Sequence, residues 1–242
     1  LWPSGERRAG AGLPMARCSC PDRGRAPVWF PASRLAWIRD EGGLSFPWFL
    51  KADLRGSSLG VEKVTTAGEF APALLRIRDR KECWIVEEGI QGVEYTVAVL
   101  GNAGSRLRAL PPVEIRPRKG FFDYEAKYDG TLTEELCPAP SLDAESTEEL
   151  QALGLRAHDV LGCAGFSRSD FIRGRDGGFR IFETNTLPGL TPESLLPKAA
   201  HAAGLSFPEL LGQLVELALG GGRQGDEEGR ESAPPASEAK GA

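Results

Sequence analysis

The sequence predicts an α+β fold in which antiparallel strands are combined with a few helices. The clearest strand signal is a hairpin, because apolar runs at 166–172 and 179–182 flank Asp176-Gly177-Gly178. Asp-Gly between two such runs favours a tight turn, since both residues tolerate positive φ. The helix signals are three capping boxes, each a Ser or Thr followed three residues later by Glu, at Thr66, Ser146 and Ser206.

Length and composition are those of an ordinary globular protein. The 242 residues suffice for one large or two modest domains, and 41% of them are hydrophobic. The net charge of -5 argues against general nucleic-acid binding. No apolar run approaches the roughly 20 residues that a membrane helix needs. We therefore expect no membrane partner. The sequence begins at Leu1 without an initiator Met or an apolar signal core, so we expect that it is a fragment.

The five cysteines include no Cys-x-x-Cys pair and have no zinc-like spacing to histidine. This pattern predicts reduced thiols in a cytosolic protein, with Cys163 as a small buried hydrophobe. His158 follows Ala157 in a predicted helix and is expected at the surface.

The first ordered element is expected after residues 1–45, whose pattern is irregular. A buried strand at 48–51 and a second strand at 61–64 enclose the loop Gly56-Ser57-Ser58. Such a loop can fold over phosphates and offer backbone N–H groups and hydroxyls, with Lys51 pointing at the same charge. The alternative is a flexible hairpin without a ligand.

A helix at 66–78 and strands at 83–88, 94–100, 107–110 and 113–115 come next. Glu87 and Glu94 flank a tight connector, a layout that suits a nucleoside base and ribose. The alternative for both is a solvated acid at a strand end.

A polar, aromatic loop at 119–131 has the size of many functional lids. Lys127 and Tyr128, near its tip, are placed to reach a phosphate and a reacting group. Aromatic anchoring of a surface loop is the alternative.

The last third of the chain contains an amphipathic helix at 146–161, the hairpin, a Pro/Gly-rich loop with a short helix, and a helix from Ser206 to Gly220. Residues 224–242 are polar and acidic without core residues and predict a disordered tail.

The hairpin also carries the strongest chemical signal. If Asp176-Gly177 is a two-residue loop, Asp170 lies opposite Glu183, where two carboxylates repel each other. A divalent cation would remove that repulsion, with Asn185 as a third oxygen ligand on the same strand face. Oxygen ligands suit Mg²⁺ or Mn²⁺ bound together with a substrate phosphate. Arg168 lies on the face of Asp170, and the alternative is a surface hairpin with a longer loop.

From about Phe46 to Ala218, several motifs in order resemble those of the D-alanine–D-alanine ligases of the ATP-grasp superfamily. They are Lys51…Gly56-Ser57-Ser58-Leu59-Gly60, Val86-Glu87-Glu88…Gly92-Val93-Glu94, Phe122-Asp123-Tyr124-Glu125-Ala126-Lys127-Tyr128, Gly165-Phe166-Ser167-Arg168-Ser169-Asp170 and Glu183-Thr184-Asn185-Thr186-Leu187-Pro188-Gly189.

The resemblance implies an ATP-grasp fold, with the nucleotide between the antiparallel sheets of two α+β subdomains at 1–94 and 95–220. It implies ATP and two Mg²⁺ or Mn²⁺ ions as cofactors. The ATP contacts would be Lys51, Ser57, Ser58, Glu87, the backbone near Ile90, Glu94 and Lys127. The metal ligands would be Asp170, Glu183 and Asn185.

The implied reaction is synthesis of D-alanyl-D-alanine for peptidoglycan in the cytoplasm, through an acyl phosphate. Arg168 would steady the acyl phosphate, while Ser57 and Tyr128 would partner a catalytic Glu of the family's first domain. The second D-alanine would be bound by Gly189, Ser194 and Leu195. Other ATP-grasp carboxylate–amine ligases and a non-catalytic Mg-ATP module are the alternatives.

Departures from the family are concentrated at the start of the chain. The family's first domain, which binds the first D-alanine, has no counterpart here, so we expect weak Mg-ATP binding and little turnover. A homodimer is a family property that the sequence does not test. Ala52-Asp53 and Gly89 also replace more usual residues, and the family often has a bulky side chain against adenine in place of Gly89.

Overall fold

A computed structural model describes residues 18–19, 44–52, 61–78, 84–117 and 133–221. The predictions for the Gly/Ser loop with Ser57 and Ser58, for the lid with Lys127 and Tyr128, for the tail at 224–242 and for nearly all of 1–43 lie outside these residues.

Ten strands and four helices are assigned within the described residues. The strands are β1 (Cys18–Ser19), β2 (Trp48–Ala52), β3 (Glu62–Val64), β4 (Trp84–Glu88), β5 (Gly92–Leu100), β6 (Arg108–Ala109), β7 (Val113–Pro117), β8 (Thr133–Leu136), β9 (Phe166–Gly174) and β10 (Phe179–Asn185). The helices are α1 (Ala67–Arg78), α2 (Ala144–Val160), α3 (Leu195–Ala202) and α4 (Phe207–Gly221). The predicted α+β class with antiparallel pairing is therefore confirmed.

The smaller sheet has the strand order β1-β4-β2-β3 and covers α1 with one face. Trp48 and Leu50 of β2 are fully buried there against Phe70 of α1. Side chains alternate along a strand, so Phe49 and Lys51 point to the opposite face. This second face borders the larger sheet.

The larger sheet has the order β10-β9-β5-β7-β8, with β6 paired to β5. One face packs against α2 through a cluster that includes Tyr95, Phe171 and Ile181. The helix approaches closely, because a Cβ on Gly154 would lie 2.7 Å from Cγ1 of Val97. Glycine at this position therefore sets the distance between α2 and the sheet.

The other face of the larger sheet is divided along its length. Ala98 and Leu100 of β5 are covered by α3 and α4 through Leu196 and Leu210. The part of the face that includes Thr96 lies outside that cluster. The two helices thus leave one end of the sheet available for polar residues.

The structure confirms one of the predicted capping boxes and contradicts another. Ser206 and Glu209 form the predicted box, with the Ser206 backbone N–H donating to Glu209 Oε2 at 2.8 Å. The box predicted at Ser146 is wrong, because α2 begins earlier with Asp143 as its N-cap and the Ser146 N–H donates to Asp143 Oδ1 at 2.8 Å. Asp caps a helix as well as Ser does, so the earlier cap extends α2.

The expectation that His158 lies at the surface is wrong. Its side chain is fully buried, with Nδ1 at 2.8 Å from Ser167 Oγ and Nε2 at 3.1 Å from the Gly101 carbonyl oxygen. Burial lowers the pKa of the imidazole below its usual value. The i, i+4 spacing from Gly154 was the sequence signal for this buried position.

Cys163 is buried, as predicted, and Cys137 is half-buried; neither forms a disulfide within the described residues. Burial raises the pKa of the Cys137 thiol to about 11. Among the described helices, none combines the length and apolar character required to cross a membrane.

Candidate functional site

The hairpin of β9 and β10 differs from the predicted one in two places. The Gly174 N–H donates to the Gly178 carbonyl at 2.9 Å, so the loop has three residues and the two-residue prediction is wrong. Gly177 closes this loop with φ +83°, as expected for a three-residue hairpin. A β-bulge between Ile181 and Glu183 then shifts the register by one residue.

Because the longer loop and the bulge compensate, Asp170 still lies opposite Glu183. Arg168 lies opposite Asn185, one row further along the same face. Residues on β5 continue these rows, with Thr96 opposite Asp170 and Ala98 opposite Arg168. The predicted register, with Asp170 opposite Glu183, is therefore confirmed.

Asp170 is 2% exposed and receives three hydrogen bonds. Arg168 donates from Nε to Oδ1 and from Nη2 to Oδ2, both at 2.8 Å. Asn185 donates from Nδ2 to Oδ2 at 3.1 Å. The two Arg168 bonds form a bidentate ion pair, which is strong and directional.

Carboxyl groups outnumber cationic groups around this pair. Burial alone would lower the pKa of the Arg168 guanidinium, but its hydrogen bonds to Asp170 and the charges of Asp170, Glu183 and Glu94 outweigh burial and raise the pKa. The charges of three carboxyl groups thus act on one guanidinium. This excess of negative charge favours binding of a cation.

The smaller sheet places Lys51 next to the β9–β10 hairpin, with Glu87 beside it, and we call the space between the two sheets at this point the cleft. Lys51 Nζ lies 2.5 Å from Glu87 Oε2 and 5.6 Å from the ring centroid of Phe182. Phe182 is the extra residue of the β10 bulge. The bulge that sets the register of Glu183 therefore also supplies an aromatic contact to the opposite sheet.

The connector between the sheets contains Gly89 and Ile90, and it leads to Glu94 in β5. The Gly89 N–H donates to the Pro47 carbonyl at 2.7 Å. A Cβ on Gly89 would lie 2.8 Å from Phe49 Cε2 and 2.8 Å from the Pro47 oxygen. Phe49 therefore occupies the space where a larger residue at this position would project. Glu94 is 8% exposed, and Ile90 is half-buried.

The structure brings Gly189, Ser194 and Leu195 together at the start of α3. Ser194 Oγ lies 2.8 Å from Thr191 Oγ1 and accepts from the Thr191 N–H at 3.2 Å. A Cβ on Gly189 would lie 2.7 Å from Ser194 Oγ. Because the N-terminus of a helix offers unpaired N–H groups and a positive dipole, this corner suits a carboxylate.

The donor set fits a hard divalent cation. Within the described ranges no cluster of three or more His, Cys, Asp or Glu side chains has the geometry of a metal site. The set here has two carboxylates and an amide, Asp170, Glu183 and Asn185. Mg²⁺ commonly binds through one or two carboxylates and takes its other ligands from water and substrate phosphates.

The residue that sequence reasoning missed is Thr96. It is 1% exposed and lies in the row of Asp170 and Glu183. The signal was available, because alternate residues from Glu94 onward in a predicted strand share a face.

A family model described as the D-Ala–D-Ala ligase C-terminus matches residues 31–216. The similarity therefore begins before Phe46. Curated relatives named D-alanine–D-alanine ligase include those of Nitratidesulfovibrio vulgaris (strain DP4), 47% identical over 197 residues, and Oleidesulfovibrio alaskensis, 47% identical over 180 residues. These matches cover 80% and 74% of this chain but only 62% and 56% of the relatives.

Solved structures agree with this similarity. The VanG D-Ala:D-Ser ligase of Enterococcus faecalis has a TM-score of 0.71 and 33% identity, over 88% of this chain and 59% of that one. The Bacillus anthracis D-alanine–D-alanine ligase complexed with ATP has a TM-score of 0.71 and 28% identity, over 90% of this chain and 66% of that one. Because the family model matches well over half of the sequence, the chain belongs to the D-alanine–D-alanine ligase C-terminal family and has the ATP-grasp fold.

Proposed function

We propose that this chain carries the Mg-ATP site of a D-alanine–D-alanine ligase that makes a peptidoglycan precursor in the cytoplasm. The main supporting observation is that Lys51 lies over Phe182, the residue next to Glu183. A cation from one sheet and a carboxylate pair from the other thus border one cleft. The chain spans 62% of the first curated relative, so the activity of the complete protein is part of this proposal.

In this proposal Asp170, Glu183 and Asn185 hold one or two Mg²⁺ or Mn²⁺ ions. The ions neutralise charge on the ATP phosphates when bound. Asp170 is buried, so its carboxylate is held in a fixed direction, and the hairpin register keeps Glu183 beside it. The protein contributes mainly position and charge, which is what phosphoryl transfer requires.

Lys51, with Ser57 and Ser58 from the loop outside the described residues, contacts the phosphates. Lys51 exchanges its contact with Glu87 for a phosphate oxygen, and Glu87 then accepts from the adenine amino group. Ile90 supplies backbone contacts to the base, while Glu94 accepts from the ribose hydroxyls. Glu94 is buried next to the connector, a position that suits binding of the ribose hydroxyls.

The proposed reaction begins when the carboxylate of one D-alanine attacks the γ-phosphorus of ATP. ADP leaves, and an acyl phosphate forms. The amine of a second D-alanine then attacks the acyl carbon, phosphate departs with the bonding electrons, and the amine loses a proton.

Arg168 stabilises the negative oxygens at the reacting centre, and Lys127 contacts the transferred phosphoryl group. Ser57 and Tyr128 partner a catalytic Glu of the family's first domain. The start of α3, with Gly189, Ser194 and Leu195, holds the carboxylate of the second D-alanine.

Calorimetry with Mg²⁺ and the non-hydrolysable ATP analogue AMP-PNP tests the site. We expect Asp170→Asn to weaken binding by at least about tenfold, since even outer-shell changes cost that much. Asp176→Asn is the matched control, because Asp176 lies at the exposed tip of the same hairpin, where it forms an ion pair with Arg180 and accepts from the Gly178 N–H. A wild-type chain that binds no nucleotide at millimolar concentration would exclude the proposal.

A second candidate is ligation of D-alanine to a different acceptor. The observation that favours it is the 33% identity to a D-Ala:D-Ser ligase. A phosphate-release assay with D-alanine, D-serine, D-lactate and L-amino acids as acceptors distinguishes the two. Phosphate release with D-serine but not with D-alanine alone would select the second candidate.

A further inference from the structure

We propose that Thr96 is a positioning residue that holds the carboxylate of Asp170 in its metal-binding state. The inference rests on the proposed function, because it concerns the same metal–nucleotide site. It assigns to β5 a role in a site whose proposed metal ligands all lie on β9 and β10.

The first observation is the state of the Thr96 hydroxyl. The residue is 1% exposed, and Oγ1 is buried without a hydrogen-bond partner in the part of the chain that the structure describes. A buried hydroxyl without a partner is costly, and valine would fill the same space without that penalty. Threonine at this position therefore requires a partner that another state of the site provides.

The second observation is the position of Thr96. It is the cross-strand partner of Asp170, which in turn is the partner of Glu183. Opposite residues of antiparallel strands share a face, and their Cβ atoms are about 4.5–5.5 Å apart. Cross-strand side-chain hydrogen bonds form at this spacing, so the Thr96 hydroxyl and the Asp170 carboxylate can meet after rotation about χ1.

The third observation is the occupancy of Asp170. A carboxylate offers about four acceptor positions. Arg168 occupies one on each oxygen, and Asn185 occupies a second on Oδ2. One position on Oδ1 remains, and a cation bound there would be repelled by the adjacent guanidinium, so the two cations compete for Asp170.

Arg168 has alternative anions close by. The charges of Glu183 and Glu94 act on it in addition to that of Asp170, and the proposed substrates are anionic. When Arg168 turns to one of these anions, one Asp170 oxygen becomes available to the cation and the other loses the hydrogen bond that Arg168 donated. The Thr96 hydroxyl replaces that donor and keeps the carboxylate in place.

The test measures Mn²⁺ binding by electron paramagnetic resonance, with the full chain and a fixed excess of AMP-PNP. We expect Thr96→Val to raise the Kd for Mn²⁺ by about tenfold, the usual effect of losing one hydrogen bond to a charged group. Thr96→Ser keeps the hydroxyl and is expected to stay within about threefold of wild type. The metal-free melting temperature of Thr96→Val is expected to equal or exceed that of wild type, because the unpaired hydroxyl has been removed.

The matched control is Ser169→Ala. Ser169 is fully buried on the same strand as Asp170, but it faces away and contacts Thr184 Oγ1 at 3.0 Å. This variant is expected to melt earlier and to bind Mn²⁺ like wild type. The comparison distinguishes a general effect of losing any buried hydroxyl from the specific effect of losing the Thr96 hydroxyl.

Equal Mn²⁺ affinity in Thr96→Val and wild type would overturn the inference and leave the proposed function intact. If the wild-type chain itself binds no manganese–nucleotide complex, the proposed function fails and the inference with it. If Thr96→Val does not fold, Thr96→Ser and Thr96→Ala replace it. Both of these lack the methyl group and differ only in the hydroxyl, so equal Mn²⁺ affinities for the two would overturn the inference.

Discussion

Glu183 lies directly opposite Asp170 because two irregularities of one hairpin compensate. The loop is one residue longer than a two-residue turn, and the bulge at Phe182 adds one residue to the partner strand. Without the bulge, β10 would be displaced by one residue, and side chains that now face the cleft would face α2. The bulge is therefore part of the site.

The pair of carboxylates gives the first prediction. Glu183→Gln keeps the shape of the side chain but removes its charge, so Mg²⁺-dependent affinity for AMP-PNP should fall at least about tenfold. Affinity measured without a divalent cation should stay the same or improve, since a negative charge has left the cleft. Calorimetry with and without Mg²⁺ checks both. Glu193→Gln is the control, because that side chain is 88% exposed. Unchanged Mg²⁺-dependent affinity in Glu183→Gln would exclude the metal role of this pair.

The ion pair of Arg168 and Asp170 gives a second prediction. Arg168→Met leaves a buried carboxylate without its cation, and breaking a buried pair in this way costs about 3–5 kcal/mol. The free energy of unfolding in urea should fall by that order without metal and recover in part with Mg²⁺.

Arg180→Met is the comparison for this experiment. Arg180 pairs with Asp176 on the same hairpin, but Asp176 is 59% exposed there, so a change of about 0–1 kcal/mol is expected. Loss of stability in Arg168→Met that Mg²⁺ fails to reduce would show that the cation does not replace the guanidinium.

Local signals were enough to identify most strands and helices and to place Asp170 near Glu183. They did not distinguish a two-residue loop from a three-residue loop, because Asp176-Gly177 suits both. The bulge at Phe182 has no local signature, since it depends on packing of β10 against β9 and the opposite sheet. His158 was misplaced because its i, i+4 spacing from Gly154 was not used and because its hydrogen-bond partners, Ser167 and Gly101, lie outside its own helix.

The connector between the sheets gives a third prediction. Gly89→Ala would place a methyl group 2.8 Å from both Phe49 Cε2 and the Pro47 oxygen, and overpacking of this kind costs about 1–3 kcal/mol. Gly212→Ala in α4 is the control, because a Cβ there meets no atom within 4 Å and the exchange should stabilise the helix by up to about 1 kcal/mol. Urea unfolding of both variants measures the difference. A stability of Gly89→Ala equal to that of wild type would contradict the close packing around Gly89.

The buried His158 gives a prediction for pH. Burial lowers the pKa of His158 in the folded state, whereas the unfolded chain has the ordinary value of about 6.5. The unfolded state therefore binds more protons, so stability is full above about pH 6.5 and is lost as the pH falls through that value towards the lowered folded pKa.

His158→Gln should be less stable at neutral pH, because its hydrogen bonds change, but its stability should depend less on pH between about 7 and 5. The urea midpoint across this range measures the slope, and His201→Gln, at an exposed position, should keep the wild-type slope. A His158→Gln slope equal to that of wild type would mean that other groups cause the acid sensitivity.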